Sequence, residues 1–211
     1  MLPTREEWMK ALTERHGEGL QESFSSATVA VCGLGGLGSN IAIHLARAGI
    51  GKLILCDFDR VDITNLHRQQ YKASQVGIYK TDALAYNLRE INPYIELETH
   101  IERITEKNAQ NLLQGADIIC EAFDDAEVKA MLADTVLSEL PGKYLVAASG
   151  MAGMGTANSI RTRRITGRFY LSGDETSDVS ENMGLVSARV ALCAAHQAHT
   201  VLRILNKQFE V

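Results

Sequence analysis

The residues best placed to do chemistry form a glycine cluster. In VCGLGGLGSN, Gly33, Gly35, Gly36 and Gly38 follow an apolar, β-branched run, ATVAVC. Glycines there let a phosphate reach backbone N–H groups at a helix N-terminus, where the helix dipole favours negative charge. Asp57 closes the next apolar run, KLILC. An acid at that point accepts hydrogen bonds from a ribose hydroxyl. Strand, glycine turn, helix and acid together predict nucleotide binding, and this fingerprint alone points to NAD rather than ATP. Other constellations carry less. GMAGMG (150–155) lacks a following Lys-Ser/Thr and is not a P-loop. His196 and His199 have no acidic or Cys neighbour to complete a metal set, so packing is expected. Cys32, Cys56, Cys120 and Cys193 form no CxxC pair and read as core thiols, without zinc or disulfides. No GxSxG motif supports serine-hydrolase chemistry.

The elements that must hold these residues are legible in the hydrophobic pattern. Residues 5–24 read as one or two amphipathic helices with Trp8, Leu12, Leu20 and Phe24 as the apolar stripe. Strands are predicted over 27–33, 52–59, 95–100, 116–123 and 143–150. Helices are predicted over 41–50, 77–92, 106–114 and 125–139. Strands alternating with helices at this spacing predict an α/β, Rossmann-like domain, with a mostly parallel sheet covered by helices on both faces. After residue 150 the pattern changes to a hairpin (156–165 and 168–173), a polar loop (174–184) and a long helix (185–208). The expected organisation is one domain over 1–211 with an antiparallel C-terminal extension. The acidic loop residues Asp174, Glu175, Asp178 and Glu181 are expected to be solvated, in a loop that opens and closes over a substrate.

Composition narrows the function. The chain has 211 residues, 45% apolar and 22% charged, with a net charge of −5. That balance argues against a general nucleic-acid binder, which needs clustered Lys and Arg. No apolar run is long enough to span a bilayer, and the charged N-terminus MLPTREEWMKALTER lacks the apolar centre of a signal peptide. A cytoplasmic location is expected, with no membrane or nucleic-acid partner.

The segment after Asp57 decides between NAD and ATP. DFDRVDITNLHRQ resembles the DxDxV and NLxRQ signature of the ThiF/MoeB and ubiquitin-activating enzymes, here Asp57, Asp59, Val61, Asn65, Leu66, Arg68 and Gln69. GxGGxGS, VGIYK (76–80), INP (91–93) and FDD (123–125) are similar to further motifs of that family. The resemblance implies ATP-dependent adenylation of the C-terminus of a ubiquitin-like sulfur carrier by an adenylyltransferase (a nucleotidyltransferase). Arg68 and Lys80 would then neutralise phosphate charge. Asp124 would hold Mg²⁺, and Asp125 would lie beside it on the nucleotide. Gly33, Gly35, Gly36, Gly38, Asp57, Asp59, Asn65 and Gln69 would complete the nucleotide site. Read singly, Asp124 or Asp125 would equally serve to N-cap the next helix. In the family an arginine from the second subunit's N-terminal region often completes the phosphate site, and Arg15 is the candidate.

Departures from the family narrow the type. Many members hold zinc on two CxxC pairs, and some carry a cysteine in a crossover loop; this chain has neither feature. It is therefore similar to the short ThiF subtype, whose chemistry stops at the acyl-adenylate while a separate protein supplies sulfur. The resemblance implies a homodimer and a ThiS-like carrier in thiamine biosynthesis, with a MoaD-like carrier for molybdopterin as the alternative. From other classes, the alternatives are an NAD-dependent oxidoreductase and a nucleotide-binding module without catalysis.

Overall fold

A computed structural model describes residues 2–178 and 184–211. The elements in chain order are α1 (Arg5–His16), α2 (Glu18–Ser25), β1 (Thr28–Cys32), α3 (Gly36–Ala48), β2 (Lys52–Cys56), α4 (Lys80–Ile91), β3 (Glu96–His100), α5 (Glu106–Leu113), β4 (Ile118–Glu121), α6 (Ala126–Glu139), β5 (Tyr144–Ala148), β6 (Arg161–Arg164), β7 (Phe169–Gly173) and α7 (Ser187–Leu205). The strands form one sheet in the order β3-β2-β1-β4-β5-β7-β6. Every pairing is parallel except β6 with β7. This is the expected Rossmann-like α/β architecture with its antiparallel C-terminal pair.

The central strands are apolar on both faces because both are covered. Val29, Val31, Leu53, Leu55, Ile118 and Cys120 pack into the core shared with α2, α3, α4 and α7. Their neighbours Ala30, Cys32, Ile54, Cys56 and Ile119 pack under α5 and α6. All four cysteines are free and buried. Among the described residues, no helix is long and apolar enough to cross a membrane.

Three elements differ from the sequence expectation. α3 begins at Gly36 inside the glycine turn, five residues before the expected start at 41, and ends at Gly49, which adopts a left-handed φ of 82°. The strand expected over 156–165 shortens to β6, and Ala157–Ser159 form one 3₁₀ turn. α1 has a Thr4–Glu7 capping box but buries none of its residues, so Trp8 and Leu12 do not form a core stripe. A fully buried Leu or Ile contributes about 1.5–3 kcal/mol. By that measure α3, which buries Leu37, Ile41 and Leu45, is a core helix, and α1 is peripheral.

Candidate active site

A cavity of about 490 Å³ opens at the carboxyl ends of β1, β2, β4 and β5, where ligands bind in open α/β sheets. Its first wall is the β1–α3 turn. Gly33 has a φ of +88°, and a Cβ there would sit 2.8 Å from the Ala122 carbonyl oxygen. At Gly38 a Cβ would fall 1.8 Å from the Gly33 carbonyl oxygen. These two glycines are therefore required by the turn's own packing, which corrects the reading that all four clear a path for phosphate. Gly38 does not line the cavity, whereas Gly33, Gly35 and Gly36 do. At Gly35 a Cβ would meet only the Gln69 amide, at 3.7 Å. The backbone facing the cavity at the start of α3 is thus approachable there. Ser39 and Asn40, which the motif reading passed over, brace the turn by donating to the Gly35 and Gly36 carbonyls at 2.6 and 2.7 Å.

Acids and cations converge beside this turn. Asp57 is 8% exposed, and its two oxygens accept from the N–H groups of Leu34 (2.6 Å) and Asp59 (2.8 Å). Burial raises its pKa, while Lys80 and these N–H groups pull it down. Lys80, at the start of α4, is buried, with Nζ 2.8 Å from Asp59 and 4.0 Å from Asp57. The Arg68 guanidinium donates to the Asn65 side-chain oxygen at 3.0 Å, and the Asn40 amide holds the Arg68 carbonyl at 3.3 Å. Burial lowers the Arg68 pKa and the Asp124 charge opposes this; an arginine keeps its charge regardless. Gln69 is buried in the same wall, and its Oε1 has no hydrogen-bond partner.

The acidic pair after β4 divides its work. Asp124 is exposed at the cavity rim. Asp125 also borders the cavity, but its carboxylate N-caps α6, accepting from Glu127 and Val128 N–H at 2.8 and 3.2 Å. Arg15 is exposed in the last turn of α1 and does not line the cavity of its own chain.

The remaining wall comes from Ser149–Ala152, Ser177, Asp178 and Leu185. The loop expected over 174–184 is not uniformly solvated. Asp174 has a side-chain exposure of 7% and pairs with Arg189 at 2.5 Å, and Glu175 pairs with Arg163. Asp178 borders the cavity; Glu181 and the rest of 179–183 lie outside the described residues. Sequence reasoning also missed Arg103, whose guanidinium lies 4.3 Å from the Phe58 ring centroid at the cavity edge. It missed Lys129 too, which joins buried Glu121 at 2.9 Å and the Ala148 carbonyl at 3.0 Å. An acid closing an otherwise apolar strand was the available signal for Glu121. His196 bonds Thr162 at 3.1 Å, in keeping with a packing role.

These features fit a nucleoside triphosphate: approachable backbone at a helix N-terminus, two cations, and an orphaned acceptor at Gln69 for a ligand donor. Among the described residues, no three His, Cys, Asp or Glu side chains cluster as a metal site. A magnesium ion held by one carboxylate together with phosphates is compatible with Asp124 standing alone.

Known proteins resemble this chain over nearly its whole length. The ThiF family model matches residues 9–211. Adenylyltransferase and sulfurtransferase UBA4 of Lodderomyces elongisporus is 30% identical over 192 residues, covering 88% of this chain and 42% of that protein. Adenylyltransferase and sulfurtransferase MOCS3 of Anopheles gambiae is 38% identical over 132 residues, covering 62% of this chain and 30% of that protein. The chain thus spans less than half the length of either relative. Among solved structures, E. coli tRNA N6-threonylcarbamoyladenosine dehydratase TcdA in complex with ATP superposes with a TM-score of 0.85. It is 22% identical and covers 99% of this chain and 98% of its own, a likeness of fold. E. coli MccB superposes with a TM-score of 0.71 at 20% identity, over 90% of this chain and 59% of its own. With the family model spanning residues 9–211 and the glycine turn, Arg68, Lys80 and Asp124 gathered around one cavity, the chain belongs to the ThiF family.

Proposed function

We propose that this protein adenylates the C-terminal glycine carboxylate of a ubiquitin-like sulfur-carrier protein, of the ThiS type that serves thiamine biosynthesis. The observation that carries this reading is the convergence of Gly35, Arg68, Lys80 and Asp124 on one cavity. The carrier's carboxylate oxygen forms a bond to the α-phosphorus of ATP. The bond from that phosphorus to the bridging oxygen breaks, and pyrophosphate leaves with the electron pair. No general base is required, because a terminal carboxylate is already ionised at neutral pH. The protein supplies position and charge instead.

Each residue has a distinct part. The backbone at Gly35 and Gly36 receives phosphate oxygens at the start of α3. Arg68 offers a fork suited to bidentate contact with phosphate. Lys80 exchanges its bond to Asp59 for one to phosphate, and buried Asp57 keeps that ammonium aimed at the cavity. Gln69 gives its free carbonyl oxygen to a donor on the nucleotide. Asp124 would hold Mg²⁺, which when bound adds positive charge to the phosphate chain.

The chemistry stops at the acyl-adenylate, and a separate protein delivers sulfur. Burial pushes the Cys193 thiol up to about 12, and burial likewise raises Cys120, so both are weak nucleophiles. The working form is a homodimer in the cytoplasm, in which Arg15 from one protomer approaches the phosphate site of its partner.

Calorimetry with ATP, Mg²⁺ and NAD is the first test, followed by ATP–pyrophosphate exchange with ThiS-type and MoaD-type carriers. Mg²⁺-dependent ATP binding and exchange driven by a ThiS-type carrier are expected. Exchange driven only by a MoaD-type carrier would move the assignment to molybdopterin. Tight NAD binding without ATP binding would overturn the reading in favour of an oxidoreductase. ATP binding without exchange would leave a nucleotide-binding module.

A further inference from the structure

We infer that the buried Arg189–Asp174 pair is the positioning device for the second substrate: it fixes the wall along which the carrier's extended tail reaches the α-phosphate. This inference rests on the adenylation reading above.

Arg189 lies in the first turn of α7 and is 7% exposed. A guanidinium has five N–H donors, and here all five find acceptors. Nε donates to the Ala152 carbonyl at 3.2 Å. One terminal nitrogen donates to the carbonyls of Gly155 (2.8 Å) and Thr156 (3.0 Å). The other donates to the Ser159 hydroxyl (3.1 Å) and to Asp174 (2.5 Å). The second oxygen of Asp174 accepts from the N–H groups of Thr176 (3.0 Å) and Ser177 (2.9 Å) and from the Ser177 hydroxyl (3.0 Å). Ser177 in turn accepts from the Ala152 N–H at 3.0 Å. Three separate stretches, 152–159, 174–177 and the start of α7, are thereby locked together.

The lock ends at the cavity. Gly150, Met151, Ala152 and Ser177 line it. Beneath them the chain ends of β5 and β7 cross closely: the backbone N–H groups of Asp174 and Glu175 donate to the Gly150 and Ser149 carbonyls, both at 3.0 Å. Gly150 has a φ of +78°, and a Cβ there would lie 2.2 Å from the Asp174 carboxylate.

Two features separate this pair from catalytic charge. Its donors are consumed internally, so Arg189 has none left for a phosphate. Burying both ions also carries a desolvation cost, and apolar packing often stabilises a fold equally well. What a saturated fork adds is a fixed geometry for the backbone it binds. The stretch it fixes, from Gly150 to Ala152 and Ser177, is itself uncharged and rich in main chain, and Asp178 follows it as the one acid of that wall among the described residues. That chemistry suits the neutral, extended peptide preceding a reacting carboxylate, while the phosphates belong to Arg68 and Lys80.

The test compares Ser177→Ala, Asp174→Asn and Arg189→Lys with the wild type, using ATP calorimetry and pyrophosphate exchange against a titrated ThiS-type carrier. Ser177→Ala keeps both buried charges and so remains a folded probe if the other two variants do not fold. The carrier KM is expected to rise about five- to tenfold in Ser177→Ala, the scale of the neutral bond from the Ala152 N–H that anchors the wall, and more in Asp174→Asn. Arg189→Lys retains the charge without the fork and is not expected to restore the wild-type KM. ATP affinity is expected to stay within about twofold, as for independent sites. An unmoved carrier KM in folded Ser177→Ala, or ATP affinity falling in step with it, would overturn the inference. A wild type that gives no exchange with any carrier would overturn the adenylation reading itself, and this inference with it; an active wild type whose variants keep their KM sinks this inference alone.

Discussion

Arg68 lines the cavity, Arg189 lies behind the wall formed by Ala152 and Ser177, and the two are treated in opposite ways. Arg68 is held by Asn65 at 3.0 Å and lies 3.3 Å from the His67 ring, which leaves most of its fork without a protein acceptor among the described residues. Arg189 is buried and every donor is spent on its own chain. The first cation keeps donors open, and the proposed function assigns them to the phosphates. The second is completed during folding and gives its energy to the backbone. On the proposed function, burial and saturation, not charge, separate the residue assigned to substrate from the one assigned to its path.

Removing Asp174 should break this contrast most visibly. Asp174→Ala strands the Arg189 charge in the interior, and losing one partner of a buried pair costs about 3–5 kcal/mol. Burial alone would raise the Asp174 pKa, but Ser177, Thr176 and Arg189 together hold it well below the ordinary carboxylate range. A depressed folded value means the added stability is fully present above the unfolded carboxylate value and fades as pH falls towards the folded one. Denaturant midpoints of wild type and variant should therefore lie far apart at neutral pH and converge below about pH 4. A gap that stays constant on acidification would show that the carboxylate charge is not what stabilises this wall.

Arg68→Ala and Asp124→Ala should show the reverse pattern. Losing one group that stabilises developing charge costs about 2.7–4 kcal/mol, or roughly a hundred- to a thousandfold in exchange rate. Neither residue completes a buried network, so unfolding midpoints should stay near wild type. A large stability loss in Arg68→Ala would erase the distinction drawn between the two arginines.

The glycine turn repeats the contrast within six residues. Gly38→Ala forces a Cβ into the Gly33 carbonyl and should destabilise by about 1–3 kcal/mol or more. Gly35→Ala has ordinary space, so the fold should hold while ATP affinity, read by calorimetry, declines. Equal behaviour of the two variants would mean that both glycines serve the turn alone.

The nucleotide wall was legible because its parts are local. The strand, glycine turn and helix lie within 28–48, and the Asn65–Gln69 segment carries its own motif. The second wall was not, because its organising contact joins residues 15 positions apart across undescribed chain. Asp174 stands in an acidic, polar stretch whose commonest fate is solvation. Arg189 sits in an amphipathic helix where one Arg draws no notice. Periodicity likewise placed the start of α3 too late, because helical glycines give no apolar signal, and it overstated α1, a strongly polar helix that buries none of its residues.

The smallest expected effect concerns Asp125, where motif and geometry differ. The family resemblance puts its carboxylate on the nucleotide, whereas that carboxylate accepts from two N–H groups opening α6. A cap of this kind is worth about 1 kcal/mol. Asp125→Ala should lower stability by that amount, and Asp125→Ser, whose hydroxyl caps comparably, should recover most of it. ATP affinity decides the second role. If the carboxylate only caps, affinity in Asp125→Ser stays near wild type, because the neighbouring Asp124 remains in place. If affinity falls alike in Ala and Ser while the serine variant regains its stability, the carboxylate touches the nucleotide as well. In that case the start of α6 belongs with Arg68 among the groups left open to the ligand.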